Sequence, residues 1–207
     1  MRLYLYFSLF VLLFPVVSSG QTKHEEMMVG YRKGWEKLIP TQVKGQFAGS
    51  MGMFSVGPGW DYGKRRQWET NVYLGMIPGN KYEEGHATFT LKETYTPFRI
   101  NLGKDFHIEP LMVGLYMTKI FGEYFWAKLP ERYPKDYYFW AVNTRFNISL
   151  GQSLTIPCNG KMFSRSISVF YEVNTNDLYL ISYVGNDYIK LKDIIGLSIG
   201  VRFRFFD

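Results

Sequence analysis

Residue types able to support nucleophilic chemistry are sparse in this chain, and the best spaced are His107 and Glu109. Side chains two apart on a β-strand share a face. His107 and Glu109 can therefore stand side by side, with a serine hydroxyl supplied from a neighbouring strand. Such a trio offers the nucleophile, base and orienting acid of an acyl hydrolase. Metal chemistry is poorly served, because Cys158 is the sole cysteine and His24, His86 and His107 are scattered. That leaves no zinc-site spacing, no intramolecular disulfide and no metal or cofactor expectation.

A second set of polar residues is more regular. In residues 193–207, Ile195, Leu197, Ile199, Val201, Phe203 and Phe205 alternate with Gly196, Ser198, Gly200, Arg202 and Arg204. A strand with this sequence has one apolar face and one small or cationic face. Glu69 and Asn71, Lys92, Arg145 and Asn147, and Glu172 occupy the polar face of similar segments. Charges of both signs on an enclosed face must pair to be tolerated. Glu69, Lys92, Arg145, Glu172, Arg202 and Arg204 are thus expected to form a lumen network, with Glu69 and Glu172 opposite the two arginines. Leu197, Ile199, Val201 and Phe203 are the expected lipid-facing set.

The elements that must position these residues follow a period of two. Strands are expected at residues 45–54 (running on towards Tyr62), 68–76, 87–95, 107–117, 138–150, 165–173, 178–184 and 195–206. Pro110 removes a ladder donor and predicts an irregularity in its strand. Residues 151–161 read as a loop, and residues 120–135 as an aromatic loop around Phe121, Tyr124, Phe125 and Trp126. Counting back from the last strand puts that aromatic loop at the end of the sheet where the chain finishes. The fold class is all-β: an antiparallel transmembrane barrel of about eight strands.

The N-terminus reads as a cleaved signal peptide over residues 1–20. Arg2 precedes an apolar run from Leu3 to Val17, and Ser18, Ser19 and Gly20 supply small residues at the cleavage site. Residues 21–42 read as a polar leader or a short amphipathic helix, and residues 43–207 as the barrel. No later stretch approaches the ~20 apolar residues of a membrane helix. The net charge of +6 would suit nucleic acid, but an exported chain does not meet it. Lys64, Arg65 and Arg66 form the one cationic cluster, a solvated turn or a contact for anionic lipopolysaccharide. A mean hydropathy of −0.15 beside 18% aromatic residues fits a polar lumen with aromatic belts. Trp60, Tyr62, Trp68, Tyr137, Tyr138, Trp140, Phe203 and Phe205 are the belt candidates.

With its export signal, period-two strands and two-faced closing strand, the chain resembles small outer-membrane β-barrel proteins of Gram-negative bacteria over residues 44–207. It departs from them in ending on Asp207 after Phe206, where such chains commonly end on an aromatic residue. The resemblance implies an outer-membrane location, contact with outer-membrane lipid and lipopolysaccharide, and insertion by the barrel-assembly machinery. It implies a structural or surface-binding role. Some small barrels are lipid A deacylases, but the His-x-Ser-Asn-type motif of such enzymes is absent here. The nearest late-strand run, Tyr171-Glu172-Val173-Asn174, contains neither His nor Ser. The other expectations are a lipid A-modifying enzyme built on His107 and Glu109, or a soluble periplasmic barrel with an apolar ligand inside.

Overall fold

In the computed structural model, residues 38–79, 84–103, 106–122, 143–158, 164–186 and 188–205 are described. The expected signal peptide and nearly all of the leader lie outside these residues. The chain divides into two compact units after Ile39, and the sheet belongs to the unit from Pro40 onward.

Nine antiparallel strands form one sheet: β1 (Gln42–Ala48), β2 (Phe54–Tyr62), β3 (Trp68–Ile77), β4 (His86–Tyr95), β5 (Ile100–Gly103), β6 (Phe106–Phe121), β7 (Thr144–Pro157), β8 (Ser166–Asn176) and β9 (Gly196–Arg204). Pairing of β1 with β9 and of β4 with β6 closes eight of them into a barrel. The short β5 pairs with the overhanging start of β6. Most barrel strands are close to the 9–11 residues that a tilted membrane strand needs. Gln42 pairs with Arg204, so both ends of the barrel chain meet at one rim, here the terminal rim. The register of β6 on β7 shifts between Glu109 and Met112, around Pro110.

The expected first strand is in fact two strands, β1 and β2, folded back at residues 49–53. Left-handed backbone at Ala48 (φ 63°), Gly49 (87°) and Ser50 (61°) makes the reversal, with Gly52 at φ 124°. The expected strand at residues 178–184 is a helix, α1 (Asp177–Gly185), followed by the single turn α2 (Leu191–Ile194). The Asn176 side chain caps α1 by accepting from Tyr179 N at 2.9 Å, and Asp177 lies in the first turn. Capping satisfies an otherwise orphaned amide and favours helix in a run, 178–184, whose only polar residue is Ser182. Residues 151–157 continue β7 rather than opening a loop. Residues 138–142 of the expected strand lie outside the described residues.

Replacing a strand by a helix reverses the sense of every strand before it. Phe121 and Thr144, on either side of the aromatic loop expected at the terminal rim, therefore stand at the opposite, distal rim, while residues 123–135 of that loop lie outside the described residues. The β8–β9 connection with α1 is also distal. The Lys64–Arg66 turn and the β4–β6 and β7–β8 connections are at the terminal rim.

Alternation puts apolar side chains outside. Leu74, Leu91, Leu115, Ile148, Leu150, Leu197, Ile199 and Phe203 are exposed, and Val201 is half-buried on the same face. Aromatic rings sit towards both ends of this band. Trp68 and Tyr95 pack at 4.6 Å near the terminal rim, and Phe47 and Phe54 at 5.2 Å near the distal one. Of the other belt candidates, Trp60, Tyr62, Phe203 and Phe205 stand at the terminal rim; Tyr137, Tyr138 and Trp140 lie outside the described residues.

Candidate functional site in the barrel interior

The same alternation sends polar side chains inward. Among the described residues, twenty-six polar or charged residues are buried, against six apolar ones. A charge in such a place persists only if other side chains replace its water.

Arg202 on β9 is the hub. Its Nη1 donates to Glu69 Oε2 at 3.1 Å and its Nη2 to Glu109 Oε2 at 2.7 Å. Nε and Nη2 also donate to Ser168 Oγ, and Nη2 to Ser153 Oγ, all at 3.2 Å. Glu69 pairs with Lys44 as well and accepts from Asn71. Glu109 receives Arg99 Nε at 2.7 Å on its other oxygen. Around the closed circle β3 and β6 each lie three strands from β9, so Arg202 ties opposite walls together.

Lys92 on β4 and Glu172 on β8 form a second cross-barrel pair, and both are about 1% exposed. The Lys92 ammonium lies 5.1 Å from the Tyr116 ring centre, in cation–π range. Gly114 leaves room for its stem, since a Cβ there would come within 3.0 Å of Lys92 Cε. Towards the distal rim the β1–β2 turn folds inward. Met51, fully buried, packs on Tyr73 and Tyr116; Tyr116 Oη donates to Gly49 O at 2.9 Å, and Thr88 bonds Met51 O.

Five of the six expected lumen residues, Glu69, Lys92, Glu172, Arg202 and Arg204, are buried inside. Their pairing differs from expectation. Arg202 takes Glu69 and Glu109; Arg204 lies 3.1 Å from Asp61; Glu172 takes Lys92. Arg145 is half-buried at the distal end of β7 and joins no ion pair among the described residues. Lys44 and Asp61 escape sequence reading because the β1–β2 fold does. Glu109 bridges two arginines instead of serving as the acid for His107 that its spacing suggests.

Both Glu109 oxygens are engaged by guanidinium groups, and the neighbouring hydroxyls of Ser153 and Ser168 accept from Arg202. This arrangement braces the barrel; a nucleophile needs a base on its hydroxyl. His107 lies at the terminal rim, lining a cavity of about 300 Å³ with Arg66, Arg99, Asn101 and Arg204. Among the described residues no three His, Cys, Asp or Glu side chains are grouped to hold a metal. No protein-family model, curated protein or solved structure matches the chain.

Proposed function

We propose that the chain is a β-barrel protein of the Gram-negative outer membrane, with a structural or surface-binding role and an interior filled by its ion-pair network. One observation carries the reading: the polarity of the barrel is inverted. A barrel in water turns its apolar faces inward; this one encloses Lys44, Lys92, Glu69, Glu109, Glu172 and Arg202 and exposes Leu74, Leu115, Leu150, Leu197 and Ile199. Outward apolar strands with aromatic residues towards both ends match what a bilayer asks of a closed sheet. The same inversion counts against a soluble barrel around an apolar ligand.

In this reading the terminal rim faces the periplasm and the two long connections face outward. The Lys64–Arg66 turn then belongs to the periplasmic side, away from lipopolysaccharide. Surface binding falls to the distal connections, where α1 exposes Leu178, Tyr179, Leu180, Ile181, Tyr183 and Val184. Val201→Arg, in the middle of β9, places a charge on the lipid face at a cost of about 2–4 kcal/mol near the midplane, and Ile199→Arg, opposite Phe47 towards the distal rim, costs less. Both variants are expected to lose membrane yield and heat-modifiable migration on electrophoresis. Wild-type yield and migration in both would reject the lipid-facing assignment.

A further inference from the structure

The terminal-rim cavity is more cationic than a structural network requires. Among the described residues, Arg66, Arg99, Asn101, His107 and Arg204 line it, without a carboxylate. Among the described residues, six cationic side chains, Lys44, Lys92, Arg66, Arg99, Arg202 and Arg204, share the ion-pair network and its terminal mouth with four carboxylates, Asp61, Glu69, Glu109 and Glu172. Lys92 and Glu172 cancel deep inside, as do Lys44 and Glu69. The excess of two positive charges is left at the mouth.

The guanidinium groups there are positioned yet incompletely used. Arg99 is held by Glu109 through Nε and by the carbonyls of Arg65 (3.2 Å) and Arg66 (2.9 Å) through Nη1 and Nη2. Those three bonds leave two of its five N–H groups over. Arg204 is 5% exposed, and its Nε and one Nη have no hydrogen-bond partner. Asp61 lies 3.1 Å from that Nε but off the hydrogen-bonding angle, and neither of its oxygens accepts a hydrogen bond. Arg66 sits in left-handed backbone (φ 51°), its amide bonded to Gly63 O at 3.1 Å, and its guanidinium makes no ion pair among the described residues. Buried donors without acceptors cost free energy unless a ligand supplies the acceptors.

We propose that this cavity binds a phosphate-class dianion, either free phosphate or the phosphomonoester headgroup of a lipid. A carboxylate is satisfied in one plane by a single guanidinium, whereas three guanidinium groups around a concavity suit a tetrahedral oxyanion. Two unbalanced cations among the described residues match two negative charges, and about 300 Å³, at the small end for ligand sites, fits a small anion or a headgroup.

The test is calorimetric titration of the full-length protein, in detergent and phosphate-free buffer, with sodium phosphate and separately with dihexanoyl phosphatidic acid. One saturable site is expected, weakened roughly tenfold or more in Arg66→Gln, because a charge-assisted hydrogen bond is lost. Heat-modifiable migration of that variant should stay wild-type. Tighter binding of phosphatidic acid than of phosphate identifies a lipid headgroup as the source, and binding of phosphate alone identifies the free ion; either supports the site. Should Arg66→Gln fail to fold, phosphate is expected to protect Arg66 of the wild-type protein from phenylglyoxal, read by mass spectrometry. No saturable binding of either probe, affinity unmoved in a folded Arg66→Gln protein, or no protection of Arg66 overturns the proposal.

Discussion

Replacing Lys92 by methionine isolates the energetics of the cross-barrel pairs. The side chain keeps its approximate length, so the room left by Gly114 stays filled. What disappears is the charge opposite Glu172, a carboxylate about 1% exposed, and the cation over the Tyr116 ring. Stranding one member of a buried pair costs about 3–5 kcal/mol. Loss of the cation–π contact adds up to about 2 kcal/mol at a desolvated site. The folding equilibrium constant should therefore fall by at least a hundredfold, since 1.4 kcal/mol is a factor of ten. Glu172→Met should cost a comparable amount by stranding the ammonium. The double variant, with two apolar side chains of similar volume facing each other, should return to within about 1 kcal/mol of wild type or exceed it. Reversible urea unfolding in phospholipid vesicles, followed by tryptophan fluorescence, gives all four corners of the cycle. If the double variant is destabilised by the sum of the two single losses, Lys92 and Glu172 do not act as a pair, and the strut account fails.

Two further outcomes follow from the packing and from the site. Gly57→Ala should destabilise the barrel by about 1–3 kcal/mol, because its Cβ would fall on the Val72 carbonyl of β3. Gly45→Ala, whose Cβ meets nothing within 4 Å, should stay within about 0.5 kcal/mol of wild type; equal urea midpoints for the two variants would refute the close-approach argument. Lipid A from cells with and without the protein should carry the same acyl chains by mass spectrometry, as Glu109 is committed to Arg99 and Arg202. A missing chain would show the deacylase account to be the better one, and an added chain would point to acyl transfer.

Period-two alternation makes the barrel legible, because the two faces of each strand meet opposite environments and the sequence carries both. The expected number of strands is correct through two errors of opposite sign. One expected strand is really β1 and β2; the turn between them depends on positive φ at Ala48 and Ser50, which residue type alone does not announce. The other is α1, where Leu, Tyr, Ile and Val read as a buried strand and the cap at Asn176 is a single side-chain bond. These two errors also hide the partners. Inward residues can be named from the pattern, but pairing depends on which strands face across the barrel, and that is a property of closure. Arg202 finds Glu109 because β6 lies across the lumen, three strands from β9 around the closed circle, a relation no spacing along the chain encodes.

The hub on β9 has a consequence for the order in which the fold completes. Arg202 belongs to the strand that docks on β1 to shut the circle, while its acidic partners stand on β3 and β6, much earlier in the chain. An open sheet with β9 undocked can keep its hairpins, yet Glu69 and Glu109 then each have one cation fewer, and Arg202 has neither. Partial zipping thus forgoes every ion pair of Arg202 and Arg204, which arrive together when the last strand seats. Such an arrangement leaves no comfortable half-closed state, and it makes the finished barrel hardest to reopen at the strand that closed it.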